Sequence, residues 1–290
     1  MAGTRVERAA LPGYVFRTVE VLETEMITPR VRRITFGGPE LAGFGEDRSG
    51  PNVKIYVPLP GQKRPVMPVV GADGIARWPA DDQRPTMRTY TVRDYDPVTR
   101  RLQLDFVLHQ AGGAASNWAE RAVPGDFLGL TGPGGRTVLP ADWYLIAGDD
   151  AAVPAIVNLA PKMSRDATGV IFVEVADEKE KQEVEAPPGV EVRWLYRDGA
   201  PAGGTTILQD AVRSVPIPAS GEGFAWVSAE SATVRALRKY LRKEAGLSPE
   251  RTLTIGYWKL GSTETDYSAK YDNDRDPARH EHHHEHHHHH

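Results

Sequence analysis

Apolar and polar residues alternate in short runs along the first half of the chain. Such runs lie at residues 17–25, 31–37, 54–58, 86–94, 102–108 and 126–132. Glycine and proline separate many of them, and a polar stretch at 62–86 predicts a long loop or a hairpin arm. Because alternation with a period of two indicates strands, the first half is predicted to form a small antiparallel barrel or sandwich.

The second half has continuous apolar runs instead. They lie at residues 143–148, 169–175, 190–196, 224–229 and 253–258, and helical patterns occupy 151–162 and 231–245. In the second helix Val234, Leu237 and Leu241 form an apolar stripe, and Gly246 suits the position after the helix end. Strands that are apolar on both faces and alternate with helices predict a parallel α/β sheet. We place a domain boundary near Pro140, which gives domains at 1–139 and 140–262 and a polar tail at 263–290.

Composition excludes several classes of chemistry. The chain has no cysteine, which removes disulfides, thiol nucleophiles and cysteine-bound metal clusters. Nine of the ten histidines lie at 280–290, a stretch that we interpret as a purification tag, with a native metal-binding tail as the alternative. His109 is the only other histidine, so no metal site is predicted in the body of the chain.

Charge and hydropathy limit the partners. The formal net charge is −4 and no apolar run approaches the length of a membrane span. Binding to nucleic acid and membrane insertion are therefore not expected. Charged residues interrupt the N-terminal stretch, where a signal peptide would be apolar, so we expect a cytoplasmic protein. We also expect a monomer.

Four short motifs in the first half carry candidate chemistry. Residues 88–91 read Arg-Thr-Tyr-Thr, 105–109 read Asp-Phe-Val-Leu-His, 112–119 read Gly-Gly-Ala-Ala-Ser-Asn-Trp-Ala, and 123–126 read Val-Pro-Gly-Asp. On a strand Arg88 and Tyr90 share one face, while Thr89 and Thr91 share the other. A glycine turn before a short helix lets backbone N–H groups approach a phosphate.

These motifs resemble the flavin-binding core of the siderophore-interacting proteins, ferric-siderophore reductases of the ferredoxin-reductase superfamily. The resemblance extends to 30–36 (Arg-Val-Arg-Arg-Ile-Thr-Phe) and to 256–259 (Gly-Tyr-Trp-Lys), and so covers nearly the whole ordered chain. It implies an antiparallel FAD-binding barrel followed by a parallel-sheet NAD(P)-binding-like domain.

The resemblance also implies roles for residues. Arg88 would contact the FAD phosphate or ribityl chain, Tyr90 would pack on the isoalloxazine, and Thr91 would bond near its reactive edge. No side chain is assigned as catalytic, because the flavin carries the chemistry. The full predicted set of cofactor-binding residues is Arg88, Thr89, Tyr90, Thr91, Asp105, Val107, His109, Gly113, Ala114, Ala115, Ser116 and Thr131.

The electron donor is expected at the second domain. Ligands of open α/β sheets bind outside the carboxyl ends of the strands, which predicts a nicotinamide site at Gly148, Asp149, Asp150 and Glu230. The turn after residue 148 lacks Gly-x-Gly-x-x-Gly, so the alternative is a packing turn in a domain that binds no pyridine nucleotide. The family has basic residues at the positions of Lys54 and Lys259, which makes these two the candidates for binding an anionic siderophore, with surface lysines as the alternative.

Together these features favour an FAD-dependent ferric-siderophore reductase that uses NADPH or NADH, with ferredoxin as a possible donor. A general flavin oxidoreductase and a siderophore-binding carrier without enzymatic activity are the alternatives. The segment after Lys259 departs from the family pattern, because residues 261–279 are polar where many members have an apolar-striped helix.

Overall fold

The structure, a computed structural model, describes residues 6–8, 15–108 and 113–261. The chain divides into two compact units between Thr137 and Val138. His109 and Gly112, both named in the sequence motifs, lie outside the described residues.

The first unit is built on a closed barrel of six antiparallel strands. The barrel order is β2-β3-β8-β7-β4-β9, and three short strands form a separate sheet in the order β1-β6-β5. The strands of this unit are β1 Val6–Arg8, β2 Arg17–Thr28, β3 Val31–Gly37, β4 Asn52–Val57, β5 Val69–Val70, β6 Ile75–Arg77, β7 Thr86–Asp96, β8 Arg101–Val107 and β9 Phe127–Gly134.

One short helix, α1 (Ala114–Arg121), packs against four strands of the barrel, β3, β4, β7 and β8. Its buried side chains join the barrel core, and Trp118 stacks on Phe36 with ring centroids 6.2 Å apart. Trp118 thus anchors the helix in the barrel core.

The polar stretch at 62–86 contains the antiparallel pair β5 and β6, so it forms a hairpin. Trp78 at its base is buried, and its ring lies 5.2 Å from that of Tyr56. The barrel strand β4 thereby supports the hairpin through aromatic packing.

The second unit is a parallel sheet of five strands in the order β12-β11-β10-β13-β14. Its strands are β10 Trp143–Gly148, β11 Thr168–Val175, β12 Gly189–Tyr196, β13 Gly223–Glu230 and β14 Thr252–Trp258, and its helices are α2 Val153–Leu159, α3 Ile207–Ser214 and α4 Ser231–Lys243.

Both faces of this sheet are covered, which explains the continuous apolar runs. On β10, Tyr144 and Ile146 pack with α2, while Leu145 and Ala147 pack with α3 and α4 on the other face. Strand order reverses between β10 and β13. This reversal is the place where an open α/β sheet has a crevice at its carboxyl edge.

The predicted architecture is confirmed, and the differences lie in detail. The predicted helix at 151–162 is an α-helix flanked by 3-10 turns, because Pro161 lacks the N–H that would continue it. Helix α3 was not predicted. At the end of α4, Gly246 has φ of +72° and the N–H of Leu247 donates to the carbonyl of Leu241, which closes the helix as expected of a glycine there.

Candidate functional site

The first cluster of predicted site residues lies at the barrel wall covered by α1. Arg88 is directly opposite Ile55, and Tyr90 is opposite Val53. Because Ile55 and Val53 are core residues, Arg88 and Tyr90 both lie on the inner side of the wall. Arg88 is buried, and its Nη1 donates to the carbonyl of Met87 at 2.7 Å.

Tyr90 is linked to α1 by aromatic contacts. Its ring centroid lies 4.7 Å from that of Phe106, and the Phe106 ring lies 5.9 Å from that of Trp118. Tyr90 itself is only partly buried, so one part of its ring packs on the core while the rest stays accessible. A rigid, half-covered aromatic ring suits a flat ligand.

The start of α1 fits a phosphate. Gly113 is the N-cap, and no side chain of the described residues caps the helix. As at every helix start, the first N–H groups have no partner within the helix. Ala115 and Ser116, in the first turn, are buried. A buried arginine and a helix N-terminus can bind phosphate groups, and a half-exposed tyrosine ring can pack on a flat ring, so the predicted FAD contacts on this side of the barrel are chemically suitable.

The outer side of the same wall carries three more predicted residues. Lys54 is exposed and is flanked by Thr89 on β7 and by Thr131 on β9. Thr131 is buried, and its hydroxyl lies 3.2 Å from that of Tyr56. A predicted siderophore cation and two predicted flavin residues are therefore neighbours in one row across the sheet.

Asp105 is held by an arginine that the sequence did not single out. Both of its oxygens accept from Arg33, at 2.8 and 3.0 Å, and its side chain is 1% exposed. The hydrogen bond and the charge of Asp105 raise the pKa of Arg33, against the opposing effect of burial. Since Arg33 engages both carboxylate oxygens, we assign Asp105 a positioning role in the barrel wall. Thr91 and Val107 are also buried strand residues.

The second cluster lies at the carboxyl edge of the parallel sheet. Asp149 directly follows β10 and is buried. Its Oδ1 accepts from the N–H of Ala151 at 3.1 Å, and its Oδ2 accepts from the N–H of Glu230 at 3.0 Å and from Nε1 of Trp258 at 2.8 Å. Burial raises the pKa of Asp149 to about 7, against the lowering effect of the Trp258 hydrogen bond.

Glu230, the last residue of β13, is the N-cap of α4. One carboxylate oxygen accepts from the N–H groups of Ala232 and Thr233, at 2.9 and 3.2 Å, and the other accepts from Leu260 at 3.2 Å. This carboxylate satisfies the first turn of α4 and holds the chain that leaves β14.

Gly148 is needed for packing at this edge. A Cβ there would lie 2.6 Å from the Cβ of Ala152 and 3.1 Å from the carbonyl oxygen of Ser228. The turn that contains Ala152 can thus pack this closely on β10 only with glycine at position 148.

Asp150 turns towards a different partner. Its Oδ2 accepts from Nη2 of Arg197 at 2.6 Å, and Nη1 of Arg197 lies 3.6 Å from Glu174. Burial raises the pKa of Glu174, although a hydrogen bond from Thr205 and the charge of Arg197 oppose the shift. Asp149 and Asp150, adjacent in sequence, therefore belong to two separate hydrogen-bond networks.

Four residues of these two clusters were not among the residues predicted from the sequence: Arg33, Glu174, Arg197 and Trp258. Glu174 lies near the end of the second strand of the sheet and Arg197 follows the third, so the rule that ligands bind at the carboxyl ends of strands points to both. Trp258 was quoted in a motif without a role. No local sequence pattern identifies Arg33, because its pairing with Asp105 depends on the register of β3 and β8.

Lys259 directly follows β14 and is half-buried. Tyr257, at the end of the same strand, has its pKa raised to about 12, mainly by burial.

Among the residues that the structure describes, no group of three or more potential ligands could hold a metal ion. Within the same residues, no helix combines the length and the apolar character needed to cross a bilayer.

Family models and known proteins are similar to this chain over most of its length. A sequence model of the siderophore-interacting FAD-binding domain matches residues 20–137, and a model of the siderophore-interacting protein matches residues 141–261. The ferric vibriobactin reductase ViuB of Vibrio cholerae is 35% identical over 254 residues, which cover 87% of this chain and 92% of ViuB. The NADPH-dependent ferric-chelate reductase of Escherichia coli is 31% identical over 248 residues, covering 84% of this chain and 92% of that protein.

Solved structures of other proteins are also similar to this chain. A siderophore utilization protein from T. fusca is 35% identical, with a TM-score of 0.77 over 90% of this chain and 98% of that one. A ferredoxin reductase of carbazole 1,9a-dioxygenase, 15% identical with a TM-score of 0.56 over 84% of this chain and 69% of that one, shows the fold alone. The chain has the ferredoxin-reductase fold and belongs to the siderophore-interacting protein family.

Proposed function

We propose that this chain is an FAD-dependent ferric-siderophore reductase that takes electrons from a reduced nicotinamide nucleotide. The observation that carries the proposal is the grouping of Arg88, Tyr90 and the N-terminus of α1 on one side of a barrel whose sequence matches a siderophore-interacting FAD-binding domain. Relatives that are named as ferric reductases support the flavin ferric-reductase class.

Each group has a task that its chemistry suits. When bound, FAD supplies the redox chemistry, since it accepts two electrons from a donor and releases them singly to Fe(III). Arg88 and the N–H groups of α1 hold the pyrophosphate, and Tyr90 packs against the flavin ring. No acid or base is required at the iron, which is consistent with side chains that bind and orient.

The siderophore is recognised by charge. Lys54 is exposed between Thr89 and Thr131 and offers a cation on the barrel. Lys259, in the second unit, is the other candidate. Fe(II) binds siderophore oxygens more weakly than Fe(III), so reduction releases the metal. The donor is NADPH or NADH, with ferredoxin as a second possibility, and a cytoplasmic monomer remains our prediction.

The test begins with the absorption spectrum of the protein after incubation with FAD and desalting. Retained flavin bands should be followed by turnover: under anaerobic conditions, catalytic protein with NADH or NADPH should release Fe(II) from a ferric tris-catecholate, read by a coloured Fe(II) chelator. A protein that retains flavin and reduces quinones and dyes, but none of several ferric chelates, would be a general flavin oxidoreductase. One that binds the ferric chelate tightly and retains no flavin would be a carrier.

A further inference from the structure

Arg197 is a buried cation enclosed by two acids. It follows β12, its side chain is 2% exposed, and it contacts Asp150 at 2.6 Å and Glu174 at 3.6 Å. Asp150 follows β10, and Glu174 is near the end of β11. Three neighbouring strands thus deliver these side chains to one place at the carboxyl edge of the sheet.

Arg197 has more hydrogen-bond donors than Asp150 and Glu174 accept from. Nε and Nη1 of Arg197 are buried and make no hydrogen bond to any described residue. Buried polar groups are nearly always hydrogen-bonded, so two guanidinium nitrogens without a hydrogen bond in one side chain indicate a place for an oxygen atom from elsewhere.

The charge of the cluster decides which oxygen fits. With both carboxylates ionised, the two acids and the guanidinium have a net charge of −1, so a phosphate group is repelled. A hydroxyl group fits both signs, because it accepts from the arginine and donates to a carboxylate. Two neighbouring hydroxyls could serve Arg197 together with Asp150 and Glu174.

The location matches a dinucleotide. In doubly wound sheets the ligand lies at the carboxyl ends of the strands near the switch point, and an acidic residue on the second strand bonds the ribose 2′-hydroxyl. Strand β11 is the second strand of this sheet, and Glu174 is its acidic residue next to the edge. The cluster is open to ligands through Asp150, which is 17% exposed, and through the partly exposed Thr205, which donates to Glu174 at 3.1 Å.

We infer that Asp150, Glu174 and Arg197 form a subsite for the ribose diol of a dinucleotide that lacks a 2′-phosphate, so that the electron donor is NADH in preference to NADPH. The inference rests on the proposed function, because it names the donor of that same reaction. It differs from the named donor of the Escherichia coli relative, which is NADPH-dependent.

The test uses redox-inert fragments, so that binding is measured without turnover. ADP-ribose and its 2′-phosphorylated form are titrated calorimetrically into the full chain reconstituted with FAD. We expect ADP-ribose to bind at least about tenfold more tightly than the phosphorylated form, because the net negative charge of the cluster disfavours a second phosphate group nearby. Equal affinity, or tighter binding of the phosphorylated form, would overturn the inference.

Variants test the residues themselves. Glu174→Gln and Asp150→Asn each remove one negative charge and leave the cluster neutral, so the preference for ADP-ribose should shrink severalfold towards the phosphorylated form. Glu191→Gln is the matched control, because Glu191 pairs with Arg193 on β12 but is exposed. A ratio of two affinities measured on one preparation does not depend on the folded fraction. Should the variants fail to fold, the ratio for the unmodified chain decides the question alone.

The two proposals can fail separately. If neither fragment binds while dithionite-reduced protein still releases iron, the subsite is wrong and the reductase stands. If the chain retains no FAD but binds ADP-ribose with the expected preference, the subsite stands and the flavin reductase does not.

Discussion

The indole Nε1 of Trp258 donates a 2.8 Å hydrogen bond to Oδ2 of Asp149, across 109 residues of sequence. The same oxygen accepts from the backbone of Glu230 at 3.0 Å. Asp149 follows β10, while Glu230 ends β13 and Trp258 ends β14, so one carboxylate oxygen ties together three adjacent strands at the edge where a ligand is expected. The Gly-Tyr-Trp-Lys motif is thereby fixed to the first turn of the second unit.

Trp258→Phe should raise the pKa of Asp149 above about 7, because the indole hydrogen bond lowers that pKa in the intact protein. The fraction of protonated Asp149 at pH 7 should increase, as read from the carboxylic-acid band in isotope-edited infrared spectra. Trp194→Phe, a half-buried tryptophan on β12, is the control and should leave the band unchanged. An unaltered band in the Trp258 variant would mean that the hydrogen bond does not control the titration.

The stability of the protein should depend on the protonation of Asp149. Its pKa in the folded state is about 7, above the ordinary value of 3.8, so the folded state binds the proton more tightly than the unfolded state. The stabilisation is complete below pH 3.8 and is lost as the pH rises towards 7, with a slope of at most about 1.4 kcal/mol per pH unit. Asp149→Asn should lack this slope in urea unfolding measured from pH 4 to 8. Parallel curves for the two proteins would exclude Asp149 as the titrating group.

Tyr90→Ala should weaken FAD binding by roughly tenfold, equivalent to about 1.4 kcal/mol, because a stacking surface is lost. Tyr90→Phe keeps the ring and should retain most of the affinity. The control is Tyr95→Ala on the same strand, where the ring packs on Phe44 at 4.8 Å and not on Phe106. That variant should lose stability and keep its FAD affinity. Equal flavin titrations for Tyr90→Ala and the intact chain would remove Tyr90 from the flavin site.

Lys54→Ala and Lys259→Ala should each raise the KM for an anionic ferric chelate by roughly threefold or more, because a favourable charge contact is lost, while flavin binding stays intact. The effect should diminish in high salt. Lys63→Ala removes an exposed lysine from the same unit as Lys54 and should change neither quantity. If all three variants behave alike, the two predicted lysines are surface charges without a role in substrate binding.

Asp105→Asn should destabilise the barrel by about 1.5–3 kcal/mol, since a buried, charge-assisted hydrogen bond is weakened and Arg33 loses its counterion. FAD affinity of the folded protein should change little, because both carboxylate oxygens already bind Arg33. Thermal unfolding and flavin titration of one preparation check both statements. A loss of flavin affinity without a loss of stability would restore Asp105 to the flavin contacts suggested by the family.

The sequence was sufficient to predict the architecture and some of the hydrogen-bonding residues at the carboxyl edge of the parallel sheet. Continuous apolar runs located all five strands of the parallel sheet, and the strand-end rule then named Asp149 and Glu230, which are in hydrogen-bond contact. Helix α3 was not predicted, although its N-cap Thr206 and Gln209 three residues later match a helix start pattern. Arg33 and Asp105 are 72 residues apart and Asp150 and Arg197 are 47 apart, so their pairing depends on strand register and order that no local pattern encodes.

Helices α1 and α4 differ in how their N-termini are completed. The carboxylate of Glu230 caps α4, whereas α1 starts at Gly113 and no side chain in the described part of the chain caps it. If the pyrophosphate of FAD occupies that position, the ligand completes the helix that covers the barrel core. The flavin is then a component of the folded state, and the melting temperature of a preparation should rise with its flavin content by mass action. Melting curves of mutants of this protein are therefore comparable only when they are recorded at equal flavin saturation.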